Sequence, residues 1–171
     1  FLCDGADADG PAGERLSTVT GLRRGAASDG AIAEDALERL DECLDGYAGR
    51  LGPFAPERVI AVGTSAVRDA PNRERVAAIV RARLGAPLTV LAGEQEAALA
   101  FAGARLGAPG VGPVLVVDIG GGSTELVRGA EAPSDLISLQ LGAVRQTERH
   151  LTADPPSRDE LEALRAEALE Q

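Results

Sequence analysis

An apolar run, Val114-Leu115-Val116-Val117-Asp118-Ile119, delivers one carboxylate into Gly120-Gly121-Gly122, then two hydroxyls, Ser123 and Thr124, and a second β-like run, Glu125-Leu126-Val127. Strand, glycine turn and strand in this order predict a hairpin whose turn is built to meet an anion. Glycine can visit backbone angles closed to other residues, and it has no Cβ to block close approach, so the amides can converge on a phosphate. Ser123 and Thr124 add donors, and Asp118 can hold a hydrated divalent cation through oxygen. A Walker loop is excluded because it needs a lysine and the chain has none, and because Glu125-Leu126-Val127 continues as strand rather than helix. A dinucleotide fingerprint fails at Glu125, where glycine or alanine is required. A plain glycine hairpin without a ligand remains the alternative.

Composition narrows the chemistry further. With 171 residues and 44% hydrophobic content, the chain can bury a core as one domain or two small ones. No apolar run approaches the roughly 20 residues of a membrane span, and no basic-then-apolar leader marks secretion, so the expectation is a cytoplasmic protein without a membrane partner. A formal net charge of −10 argues against nucleic-acid binding, which relies on a basic surface. A polyanionic ligand would need local arginines or bound cations; arginine suits bidentate phosphate contacts. Cys3 and Cys43 lack metal or redox spacing and read as small apolar residues. His150 is the only histidine, which excludes a zinc site of several histidines; beside Leu151 it reads as a helix-end residue. Methionine is absent, the chain opens on Phe1-Leu2-Cys3 as though inside a strand, and a helical pattern is still running at Gln171. Both ends are therefore expected to be cut.

Along the chain, residues 4–13 read as a hairpin-like turn between residues 1–3 and a strand near residues 16–20. Ile32, Ala36, Leu37, Leu40, Leu44, Tyr47 and Ala48 fall at helical spacing, with Gly49 and Gly52 ending the pattern. Residues 59–62 predict a short buried strand. Asn72 reads as the cap of a helix carrying Val76, Ile79, Val80 and Leu84, closed by Gly85. A strand over residues 88–91 and a helix from Glu94 to Leu106 follow, and the Gly107-Ala108-Pro109-Gly110 break marks a domain boundary. Beyond the glycine turn come a strand near residues 136–139, a helix over residues 143–151, and a capping-box spacing, Ser157 with Glu160, ahead of a last helix. Alternating strands and helices make the chain α/β, with hairpins suggesting mixed sheets.

Three segments sit at strand ends: Thr64-Ser65-Ala66-Val67-Arg68-Asp69-Ala70, Gly93-Glu94-Gln95-Glu96-Ala97, and Asp118-Ile119-Gly120-Gly121-Gly122-Ser123-Thr124-Glu125. In open α/β sheets, ligands bind outside the carboxyl ends of strands. In order and spacing these segments resemble the exopolyphosphatase and guanosine pentaphosphate (pppGpp) phosphohydrolase family of the actin-like ATPase superfamily. Leu141-Gly142-Ala143-Val144-Arg145 with Thr147-Glu148-Arg149 is also similar to that family, and the likeness covers nearly the whole chain.

The resemblance implies an actin-like ATPase (ribonuclease H-like) fold in two partial domains, residues 1–106 and 107–171. It implies hydrolysis of the terminal phosphoanhydride of polyphosphate or pppGpp, with Mg²⁺ or Mn²⁺ as cofactor and a homodimer when full length. It places Glu96 as catalytic base, Asp118 and Glu125 as acids near metal and water, and Gly120, Gly121, Gly122, Ser123, Thr124 and Arg68 around phosphate. On the residues alone, Glu94 and Glu96 can equally complement the positive end of a helix, and Arg68 can simply pair with Asp69. The chain also departs from the family. Its usual first strand and Asp-Ile-Gly-Thr-Asn-Ser-like phosphate loop would lie upstream of Phe1, so residues 1–171 alone are expected to turn over poorly. Ala98 replaces an arginine common in relatives, and Thr20-Gly21-Leu22-Arg23-Arg24-Gly25 replaces the usual Thr-Arg-Leu-Gly pattern, which bears on substrate and chain-length preference. An actin-like ATPase or sugar kinase, and a non-catalytic phosphate or nucleotide sensor, are the other readings.

Overall fold

The computed structural model describes residues 2–3, 13–26, 29–107, 110 and 112–171. Among them the order is β1 (Leu2–Cys3), β2 (Gly13–Glu14), α1 (Glu34–Phe54), β3 (Ala61–Gly63), α2 (Ser65–Arg68), α3 (Arg73–Leu84), β4 (Leu88–Val90), α4 (Gly93–Gly107), β5 (Val114–Ile119), β6 (Thr124–Gly129), β7 (Pro133–Leu139), α5 (Ala143–His150) and α6 (Arg158–Glu170). β1 pairs antiparallel with β2, β3 pairs with β4, and β5-β6-β7 form a three-stranded sheet. Two compact units result. One comprises Phe1–Val62 and Ala70–Thr89, the other Gly63–Asp69 and Val90–Gln171.

In the first unit, α1 packs along α3 because its apolar residues recur on one face: Ile32 just ahead of it and Ala36, Leu37, Leu40 and Leu44 within it are buried, as are Val76 and Val80 of α3. Arginines of α3 reach acids of α1. Arg75 pairs with Glu34, and Arg83 forks onto Asp41 and reaches Asp45 at 2.6 Å. These partners hold the Glu34 and Asp41 carboxyls below their usual range, with the hydrogen bond from arginine as the larger cause in each.

Several local expectations are corrected here. The strand expected near residues 16–20 is irregular chain, and the ladder sits at Gly13–Glu14 instead; the turn expected over residues 4–13 falls almost wholly outside the described residues. Helix α1 does not stop at Gly49 or Gly52. It runs through Pro53 to Phe54 and ends where Ala55 turns left-handed (φ 46°), its N–H donating to the Leu51 carbonyl. A helical glycine costs about 1 kcal/mol, which by itself does not stop a helix already formed over the turns before it. Asn72 sits at the N-cap of α3 without capping it: its amide instead accepts from the Ile32 N–H and donates to the Ile32 carbonyl, each at 2.9 Å. Gly85 does close α3, at φ 66°.

In the second unit, β5-β6-β7 is an antiparallel meander with Asp118 opposite Glu125, Val116 opposite Val127, and Glu125 opposite Ser138. Helix α4 lies across all three strands. Its Ala97 and Phe101 bury Val127, with Val114 and Val116 packed alongside. By strand alternation, Asp118 and Glu125 share that face. The opposite face carries Leu115, Val117, Ile119 and Ile137, all exposed. Helix α6 begins on the complete capping box foreseen between Ser157 and Glu160, and His150 ends α5, with Nε2 2.5 Å from Glu167 Oε2.

Candidate active site

The glycine turn joins β5 to β6, and its geometry is set by the helix that follows β7. The N–H of Ala143 donates to the Gly120 carbonyl, and the N–H of Arg145 to the Gly121 carbonyl, each at 2.9 Å. The Arg145 side chain takes the third carbonyl, Nε donating to Gly122 O at 2.7 Å. A new helix has unsatisfied N–H groups in its first turn, and here two of them are used on the turn's carbonyls. The peptides are trans, so each carbonyl points opposite to the N–H of the next residue. Holding the carbonyls of Gly120, Gly121 and Gly122 toward α5 therefore directs the N–H groups of Gly121, Gly122 and Ser123 away from it. No backbone carbonyl among the described residues accepts from those three. Amides held on one side of a turn are the donors an anion-binding concavity uses; Gly121 is exposed, whereas Gly122 and Ser123 are buried.

Of the two reasons expected for glycine here, only the missing Cβ applies. None of residues 120–122 adopts a left-handed φ. The constraint that bears on this turn lies in Gly142, at the N-cap of α5, where an added Cβ would stand 2.5 Å from the carbonyl carbon and oxygen of Gly121. A Cβ on Gly121 would only touch Val144 Cγ2 at 3.4 Å. Gly121 is open on the protein side, and its missing side chain leaves room for a ligand.

The carboxylates follow from the sheet. Glu125 is 1% exposed; Ser138 Oγ donates to its Oε1 at 2.8 Å, and its buried Oε2 has no partner. A buried carboxylate oxygen left unpaired is costly, and a cation or a proton would relieve it. Asp118, directly across the ladder, is exposed. Two carboxylates sharing a sheet face fit Mg²⁺ or Mn²⁺, since such ions take one or two carboxylates and complete their shell with water and phosphate oxygens. No cluster of three or more histidine, cysteine, aspartate or glutamate residues suited to a metal occurs among the described residues. Thr124, expected near phosphate, turns its hydroxyl inward to the Leu141 carbonyl. Ser123 is 1% exposed.

Glu96 lies in the first turn of α4, on the helix that covers the carboxylate-bearing face. Its Oε2 accepts from Arg68 Nη1 at 3.0 Å, and the same nitrogen donates to the Leu91 carbonyl at 2.9 Å. Arg68 thus sits beside Glu96 rather than pairing closely with Asp69, whose Oδ1 is 4.0 Å from its Nε. Arg68 Nη2 is buried without a partner. Glu94 is exposed. What the residue pattern missed are the fitting pieces. An added Cβ on Gly93 would lie 2.7 Å from the Ser138 side chain, so glycine at the start of α4 admits close packing on β7. Gly142 does the same for α5. A glycine immediately ahead of a helical pattern was the available signal.

A profile of the Ppx/GppA phosphatase family matches residues 14–171. The chain is 40% identical over 158 residues to exopolyphosphatase 2 of Mycobacterium tuberculosis, covering 88% of this chain and 49% of that protein. It is also 40% identical over 131 residues to the guanosine-5'-triphosphate,3'-diphosphate pyrophosphatase of Vibrio cholerae, covering 75% of this chain and 26% of that protein. The crystal structure of an exopolyphosphatase-like protein superposes with a TM-score of 0.90 at 36% identity, over 96% of this chain and 54% of that one. The chain spans about half the length of the mycobacterial relative and about a quarter of the Vibrio one. The actin-like α/β fold expected from the motifs is the fold of these neighbours. By the extent of these matches, this chain belongs to the Ppx/GppA phosphatase family.

Proposed function

We propose that the whole protein removes the terminal phosphate of inorganic polyphosphate or pppGpp by attack of water, with Glu96 as general base. The observation that carries this reading is the anchoring of all three glycine carbonyls by α5, which leaves the amides of Gly121, Gly122 and Ser123 to receive phosphoryl oxygens. Water attacks the terminal phosphorus, the bond to the bridging oxygen breaks, and orthophosphate and the shortened product leave. Glu96 accepts the water proton, and the amides meet charge as it grows on the phosphoryl oxygens. Arg68 steadies Glu96 through Nη1 and keeps an unused donor, Nη2, for a phosphate oxygen. Asp118 and Glu125 are the residues that would hold a divalent cation, which when bound would offset phosphate charge. The names of the relatives, an exopolyphosphatase and a guanosine pentaphosphate pyrophosphatase, support the substrate class.

The same reading makes the whole protein a cytoplasmic homodimer, whose oligomeric state light scattering of the purified protein tests. The decisive experiment is Glu96→Gln. Glutamine keeps size and an acceptor for Arg68 but cannot take a proton, so kcat should fall by about 10²–10⁴-fold with little change in KM. Glu94→Gln, at an exposed position, should do much less. Near-normal kcat in Glu96→Gln on both substrates, with chemistry rate-limiting, would reduce Glu96 to a helix-end partner of Arg68.

A further inference from the structure

Arg145 is almost withdrawn from solvent, its side chain 11% exposed, and it serves five acceptors or donors at once. Besides the Gly122 carbonyl on Nε, its Nη2 reaches Asp69 Oδ2 at 2.6 Å, Gln140 Oε1 at 2.7 Å and Ser65 Oγ at 3.4 Å. Its own N–H holds the Gly121 carbonyl. The carbonyls of Gly120 and Gly121 are thus fixed by backbone donors, whereas that of Gly122 depends on one side chain. The Gly122–Ser123 peptide is consequently the one plane of the turn whose orientation a side-chain substitution can release. Released, it can rotate and aim an oxygen where an amide should face phosphate, replacing attraction by repulsion.

We propose that Arg145, oriented by Asp69, is a positioning residue for the phosphate-hydrolysing reaction. It locks the Gly122–Ser123 peptide so that the Ser123 N–H faces the transferred phosphoryl group. Asp69 is suited to this because it directly follows Arg68 in the chain: Arg68 holds Glu96 at 3.0 Å and Asp69 holds Arg145 at 2.6 Å, so neighbouring residues of one segment serve the proposed base and the glycine turn. Substrate need not touch Arg145, whose Nε and Nη2 are taken up by protein acceptors.

This inference rests on the hydrolase reading, and the test separates the two. In the whole protein, Arg145→Lys keeps the charge for Asp69 but cannot fork between Asp69 and the Gly122 carbonyl. Amide hydrogen exchange resolved at Gly121, Gly122 and Ser123, together with kcat and KM on polyphosphate, is measured for wild type, Arg145→Lys and Asp69→Asn. The expected result for Arg145→Lys is faster exchange at Ser123 by about tenfold or more, unchanged exchange at Gly121, and a fall of about 10- to 100-fold in kcat with KM nearly constant. Asp69→Asn should move both readouts the same way and less. Unchanged Ser123 exchange, or a full kcat in folded Arg145→Lys, overturns the proposal. If Arg145→Lys does not fold, Asp69→Asn decides by the same two readouts. If the wild-type protein releases no phosphate from polyphosphate or pppGpp, the hydrolase reading fails, and with it the catalytic part of this inference. Ser123 exchange then still decides whether Arg145 locks the peptide.

Discussion

Gly142→Ala should damage this protein more than its surface chemistry suggests. Gly142 has an extended backbone, φ −141° and ψ 152°, which alanine adopts freely, so the requirement is purely one of space. The added Cβ would lie 2.5 Å from Gly121 and Gly122 backbone atoms, against about 3.4 Å for ordinary contact, and backbone cannot swing aside as a long side chain can. The turn and the start of α5 must separate by roughly 0.9 Å. That would stretch the two 2.9 Å bonds from Ala143 and Arg145 to roughly 3.8 Å and the 2.7 Å bond from Arg145 Nε to roughly 3.6 Å, all outside useful range. Three such bonds at about 1 kcal/mol each, relieved in part by local adjustment, give a loss of about 2–3 kcal/mol. A displacement near 1 Å in a group that holds the reacting phosphate also costs about 10²-fold in rate. Urea unfolding and steady-state kinetics on polyphosphate, run in parallel on the whole protein, measure both. Gly121→Ala, whose Cβ meets only Val144 at 3.4 Å, is the folding control. Wild-type urea midpoint and wild-type kcat in Gly142→Ala would refute the packing argument.

Two further outcomes follow from the same geometry. Gly121→Val should weaken phosphate binding more than folding, because its branches fill the ligand side of the turn; calorimetric titration with a nonhydrolysable polyphosphate analogue checks this, and unchanged affinity would favour an empty hairpin. Glu160 is held near a pKa of about 2, first by the Thr152 hydroxyl and then by backbone N–H groups including that of Ser157. Because its folded pKa is depressed, its contribution is present above about 4.5 and is lost as pH falls toward about 2, so α6 should fray across that window. Exchange of the first-turn amides of α6 on acid titration reads this directly, and a Glu160→Gln variant should lose the pH dependence at that position.

The capping box, the αL glycine after α3 and the hairpin around residues 120–122 were legible because each depends on residues within a few positions of one another. Asn72 was misread for the opposite reason: it has cap chemistry and sits at a cap, yet its partner is Ile32, 40 residues away, and two long-range hydrogen bonds outcompete one local bond. The end of α1 was misplaced because glycine only penalises a helix, while the stop is set by the left-handed backbone of Ala55, a residue type that does not signal it. Arg145 and Gly142 were visible as residues but not as parts of a site, since their meaning lies in carbonyls some 20 residues upstream. Composition announces that a turn is made for phosphate. Which side of the turn faces the phosphate is decided by what holds its carbonyls.

Asp118 is also the single charge in an otherwise apolar strand. Strand β5 is Val-Leu-Val-Val-Asp-Ile, an edge of the sheet with no further strand beyond it among the described residues, and three of its apolar side chains are exposed. A short, strongly β-forming edge is a template for other chains, and one charge within it is the usual protection against such pairing. In residues 1–171 taken by themselves, the residue proposed to bind a cation is therefore also the one charge within this edge. Replacing it with an uncharged residue to probe chemistry would remove both functions together, so an inactive Asp118 variant is informative only when its monodispersity has been measured in the same preparation.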